Sequence, residues 1–156
     1  MNKKGDNDTV YEHDENNQPL FNNPRYITTN CNGNIHVVDK ISDDWSGKIV
    51  VLEQGGHMIN EYTGHSTINK HGSFKPINIV TTPNDNVVVI DKDTKIMHIL
   101  NDNGHLISYF NTKNIGIKRP HSLAINTTGE LYIGCTRAAG SRTKEAKLYE
   151  INYVGF

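Results

Sequence analysis

The chain has 156 residues, 35% of them hydrophobic, with a formal net charge of −1, enough for one domain with a real core. Near-neutral charge gives no global case for nucleic acid or an anionic membrane as partner, and no apolar run approaches a membrane span. Two cysteines, Cys31 and Cys135, supply no disulfide framework, and "MNKKGDNDTVYEHDENNQ" has no apolar stretch of signal-peptide length. A reducing, cytoplasmic setting is therefore expected, and the N-x-S/T triplets at Asn7 and Asn126 would matter only in a secreted protein.

In chain order, residues 1–9 are polar and expected to be disordered, and "TVYEHDENNQPLF" up to residue 23 reads as the outer part of a preceding β unit. The first full unit, residues 24–73, offers four short strands: "RYITT", "NIHVVD", "KIVVLE" and "MINEYT". The second, residues 74–117, offers "INIVTT", "NVVVID", "KIMHIL" and "LISYFN". The third, residues 118–156, offers "HSLAIN", "ELYIGC" and "KLYEIN", and lacks a fourth. Pro24, Pro76 and Pro120 head the first strands, and a turn residue (Gly33, Asp85, Gly129) follows nine positions later each time.

These apolar runs are four to six residues long, rich in Val and Ile and bounded by turn signals, which is strand chemistry. No segment sustains a helical period. The prolines fall 52 and then 44 residues apart, close to the length of a four-stranded propeller blade. One such sheet leaves its apolar faces wet, so neighbours must stack. The expected fold is all-β: a partial β-propeller of about three blades plus a remnant, where closed propellers have roughly four to eight.

The pattern P-x-x-I, then G or D, then V-x-D, followed by "K-I-x-x-L" and "G-x-L-I-x-x-F", resembles the NHL repeat of six-bladed propellers. "NQPLFNNPRYITTNCNGNIHVVDK" and "KRPHSLAINTTGELYIG" are similar to the C-terminal blades of tripartite motif-containing proteins of the NHL subclass, and the resemblance covers roughly residues 10–156. It implies a propeller that binds protein partners or, in some members, RNA, within a longer ubiquitin ligase whose RING does the catalysis. Two cysteines cannot build a RING, so ligase activity would belong to a longer parent. The third unit has Cys135 where the others have Asp39 and Asp91, which puts in doubt an essential role for that aspartate.

Antiparallel connectivity puts the loop before each first strand on the same side as the loop joining strands two and three. That side holds the irregular loops "KISDDWSG", "KDT", "TRAAGSRTKEA", "HSTINKHGSFK" and "TKNIGIKR", and variable loops over a constant scaffold are where binding concentrates. Trp45, the single tryptophan, reads either as an exposed interface anchor or as a side chain folded back on the blade edge. Arg25, Lys75 and Lys92 join this face, with a basic set in the last unit: Lys118, Arg119, Arg137, Arg142, Lys144 and Lys147. Residues 113–156 hold seven Lys/Arg against three Glu. Such a set grips RNA phosphates or an acidic partner, or is a solvated basic surface. Tyr26 and His121 reach the channel mouth or pack between blades.

No cofactor or metal is expected. His57 and His105 occupy equivalent Gly-His turns, His36, His98 and His121 fall on separate strands, and no Cys/His pair has zinc spacing. The first strands offer Asn78 and Asn126 without a carboxylate or an acid/base pair, and "GSRTK" lacks phosphate-loop spacing. The leading expectation is a non-catalytic, protein-binding and substrate-recognition module that needs further blades or another copy to close. RNA binding is the alternative, and a metal-dependent propeller hydrolase or lyase the second.

Overall fold

The computed structural model describes residues 9–142 and 146–152. The expected disordered start therefore lies, except for Thr9, outside the described residues. Among these residues eleven strands make three antiparallel sheets. The first is β1 (Pro24–Thr29), β2 (Ile35–Lys40), β3 (Gly47–Leu52) and β4 (Met58–Tyr62). The second is β5 (Pro76–Thr81), β6 (Val87–Asp91), β7 (Ile96–Leu100) and β8 (Leu106–Asn111). The third is β9 (Pro120–Ile125), β10 (Leu131–Cys135) and β11 (Lys147–Ile151). Each sheet pairs its strands in sequence order, and a single 3-10 turn over Thr112–Ile115 is the one helical element among the described residues. The expected all-β class is what the chain adopts.

The inner strands stack around one side, with β1 against β5 and β5 against β9. The Thr28 and Thr81 hydroxyls meet at 2.8 Å across the first of these contacts. Consecutive four-stranded meanders packed face to face through their first strands are propeller blades.

Stacking explains why the middle strands are apolar throughout instead of alternating. Val87, Val88, Val89 and Ile90 of β6 are all fully buried. Val87 and Val89 join Val38, Ile49, Val51 and Leu100 in the core between blades one and two. Val88 and Ile90 join Met97, Ile99, Leu131 and Ile133 in the core between blades two and three. A strand covered on both faces reads as a continuous hydrophobic run.

The outer face of blade one is covered by Tyr11, Leu20 and Phe21, which pack on Val37, Val50 and Leu52. Among the described residues blade three has no such cover. Leu148, on its far face, is 72% exposed.

One backbone bond recurs at the head of each blade and fixes the loop face. The residue at the end of strand two or just past it donates to the residue before the strand-one proline: Lys40 to Asn23 at 3.0 Å, Lys92 to Lys75 at 2.9 Å, Thr136 to Arg119 at 3.1 Å. Strand-two ends and approach loops are thus clamped on one side of the molecule.

Candidate functional site: the loop face and its basic depressions

Trp45 sits on the β2–β3 turn with φ of +73°, a left-handed conformation that costs a residue of this size. The turn is closed tightly enough to hold it. Ile41 N–H donates to the Ser46 carbonyl at 2.8 Å and Trp45 N–H to the Ser42 carbonyl at 3.1 Å. Asp44 accepts from Ser46 N–H at 3.0 Å, from the Ser46 hydroxyl at 2.9 Å and from the Ser42 hydroxyl. The Ser42 hydroxyl, with the two Ser46 donors and Lys75 behind it, holds the Asp44 carboxyl well below the usual carboxylate range.

Three cations gather on the Trp45 ring. Lys40 Nζ lies 4.7 Å, Lys92 Nζ 5.4 Å and Arg25 Cζ 5.6 Å from its centroid, within cation–π reach. The indole is half-buried against the core group that contains Ile77. Lys75 bridges Asp93 at 2.8 Å and Asp44 at 3.6 Å, and Asp93 above all holds its ammonium group in the charged form. That lysine ties two turns together.

Lys92 also belongs to the rim of a depression of about 430 Å³ between blades two and three, whose other cations are Lys95, Lys118 and Arg119. A second, of about 320 Å³, lies beside it, lined by Lys118, Arg119, Cys135, Thr136, Lys147 and Tyr149. Among the described residues no carboxylate lines either. Burial lowers the Lys95 pKa, and neighbouring Lys113 and Arg119 push the same way against Asp93 and Asp91. The like charges are close enough to feel one another.

The end of strand two explains the odd residue of the repeat. Asp39, fully buried, accepts from Asn22 N–H at 2.9 Å, Asn23 N–H at 2.7 Å and the Asn22 amide at 3.0 Å. Asp91, also fully buried, accepts from the Asn69 amide at 2.6 Å and Asp93 N–H at 3.1 Å. Each carboxylate latches the loop side of its blade through charge-assisted bonds. In blade three the Arg119 N–H faces the Cys135 sulfur, and burial pushes that thiol up. A thiol is a weak acceptor, and there the second depression opens.

A Tyr–His–Asp constellation lies between blades one and two, out of reach of any substrate. The Tyr62 hydroxyl is 2.7 Å from His98 Nδ1, and His98 Nε2 is 3.8 Å from Asp91 Oδ2. All three are buried, so this group serves packing.

The expected binding residues divide by position. Arg25, Trp45 and Lys92 form one cluster, and Lys92, Lys118, Arg119 and His121 line the larger depression. Tyr26 packs on the core between blades one and two. Arg137 and Arg142 are exposed on the β10–β11 loop, and Lys144 lies outside the described residues. Sequence reasoning missed Lys40 and Lys95. Lys40 was findable, since "VVDK" and "VIDK" put a lysine after the latch aspartate in both blades. Lys95, at φ of +63°, carries no such signal. His57 pairs with Glu15 at 2.8 Å, far from the loop face. Among the described residues no three His, Cys, Asp or Glu side chains come together as a metal would need. No helix among them is long and apolar enough to cross a membrane.

No family model and no curated protein matches the chain. Solved structures similar to it include a protein of unknown function from Bacteroides caccae, at 16% identity and a TM-score of 0.46 over 78% of this chain and 44% of that one. Streptogramin B lyase is similar at 16% identity and a TM-score of 0.36, over 84% of this chain and 55% of that one. The chain spans about half the length of these solved structures. Its own strand order and inner-strand packing make it a β-propeller module.

Proposed function

We propose that this β-propeller module is a non-catalytic protein-binding unit of the NHL type, engaging a partner through the loop face around Trp45. The observation that carries the reading is the Trp45 turn. A large aromatic is held in a left-handed conformation, half-buried and ringed by Arg25, Lys40 and Lys92. Strain of this kind persists where the surroundings over-determine it and concentrates at ligand-contacting sites. Trp and Arg are the residue types that anchor interfaces. The NHL likeness of the repeat supports a recognition role, and in a longer parent that role would be substrate recognition for a ubiquitin ligase. The two cysteines are free and lie on different blades, which suits a reducing compartment such as the cytoplasm.

Selection of a random peptide library on the immobilised chain tests this. Selected peptides are then synthesised and titrated against the wild type and W45A. The expected result is a family of peptides that loses about tenfold or more in affinity on W45A, as for an interface hot spot. Peptides indifferent to Trp45, or no selection above background, overturn the reading.

A further inference from the structure

Blade three breaks the repeat at one chemical position, and a basic depression opens there. In blades one and two a buried carboxylate, Asp39 or Asp91, sits at the end of strand two and accepts hydrogen bonds on the loop side of its blade. The corresponding position in blade three is Cys135, and the space around it is lined by Lys118, Arg119 and Lys147 with Thr136 and Tyr149. Lys118 and Arg119 occupy the places of Asn22 and Asn23, the residues Asp39 holds, immediately before the strand-one proline.

We propose that this depression takes a carboxylate of an acidic segment of a partner protein, which supplies in trans the latch that blade three lacks. The proposal rests on the protein-binding reading of the loop face and adds the chemistry of the bound segment. Three cations around a space that no carboxylate among the described residues lines make a positive field there. Arg and Lys recognise carboxylates through charge-assisted bonds. The Thr136 hydroxyl and the Tyr149 ring supply a polar contact and an apolar wall. Lys92 and Lys95 extend the basic surface towards Trp45, so a short extended peptide could span anchor and latch together.

A protein segment fits better than a nucleic-acid strand. A phosphate backbone carries charge at every nucleotide and gains affinity from a continuous basic track with free aromatic platforms. Here the basic surface ends at Asp44 and Asp93, which Lys75 bridges, and cations already crowd the Trp45 ring.

The test uses fluorescence anisotropy with a labelled peptide of alternating Glu and Ser, its Gln counterpart and an oligouridine. These are titrated against the wild type, C135D, the double variant K118E/R119E and the control K70E. Wild type and K70E are expected to bind the acidic peptide alike, and the Gln peptide not to compete. C135D builds the latch in cis. It is expected to raise the thermal midpoint and to lower acidic-peptide affinity by about tenfold or more, as is K118E/R119E. If C135D fails to fold, K118E/R119E decides. No binding of the acidic peptide, unchanged binding by both variants, or tighter binding of oligouridine lost in the same variants overturns the proposal. Library peptides that need Trp45 but ignore C135D and K118E/R119E would sink this inference and leave the protein-binding reading standing.

Discussion

The hydroxyl of Tyr62, at the end of blade one, lies 2.7 Å from Nδ1 of His98, on the third strand of blade two. The rings of Tyr62, Phe74 and His98 contact one another at centroid separations of 4.9 to 5.8 Å. A polar bond inside an apolar seam fixes how the two blades meet, because an unmatched partner there goes unsolvated. Tyr62→Phe removes the hydroxyl and leaves the imidazole unpaired. A loss of about 1–3 kcal/mol in unfolding free energy is expected by urea titration.

Acid should weaken the fold in a defined window. Burial lowers both His36 and His98 from an ordinary 6.5 to about 4, against weaker opposing pulls from Asp102 and Asp91. Above pH 6.5 both histidines are neutral in the folded and unfolded chains, and their contribution is complete. Between 6.5 and 4 the unfolded chain takes up protons that the folded chain refuses, so stability falls with pH. Each histidine then costs about 1.4 kcal/mol per pH unit. No ring nitrogen of His36 meets a hydrogen-bond partner in good geometry, so His36→Phe should hold stability at pH 7 and roughly halve the slope. Urea midpoints across pH 4 to 7 check both. A flat profile would show that these histidines are not held neutral.

The latch aspartates should differ in cost. Asp39 accepts two backbone N–H groups of the approach loop and one amide, whereas Asp91 accepts one backbone N–H and one amide. Asp39→Ala is expected to destabilise by about 3 kcal/mol or more and Asp91→Ala by somewhat less. Hydrogen exchange should show Asn22 and Asn23 losing protection in the first variant alone.

At Trp45 stability and binding should separate. W45A keeps the left-handed φ of +73° without the indole's contacts, while W45G relieves the backbone. W45G is expected to be more stable than W45A by about 1 kcal/mol, although both should lower the affinity for selected peptides by about tenfold or more. Equal stabilities would mean that the turn stores no strain.

Gly104 packs where a side chain cannot go. A Cβ there would come within 2.6 Å of Val51 Cγ2 at a φ of +80°. Gly104→Ala should cost about 2 kcal/mol or more. Adding Val51→Ala should recover part of that cost, so the double variant is less destabilised than the sum of the singles. Thermal melts of the four proteins measure this.

Much of the fold was legible because blades repeat. Pro24, Pro76 and Pro120 do head the three inner strands, and "NCNGN", "TPNDN" and "NTTGE" do form the turns that follow them. The geometry of the candidate site was legible in part. The loop face and Trp45 could be read from turn irregularity alone. The Tyr26 contact could not, because a residue heading an inner strand can face the channel or the next blade, and only the stacking chose the blade. Lys75 read as one residue of the loop face, and the neighbouring turns made it a bridge between Asp44 and Asp93.

By itself the sequence determined the strands, their order and the side on which the variable loops gather, since turn chemistry and hydrophobic runs act over a few residues. Packing of one blade on the next decided the rest. It sealed Tyr62, His98 and Asp91 out of reach, set three cations around one indole, and left blade three with a basic depression where its neighbours keep a carboxylate. Those features join residues from different sheets, or, in the depression, from strands and loops far apart in the chain, and nothing local in the chain encodes the distance between them.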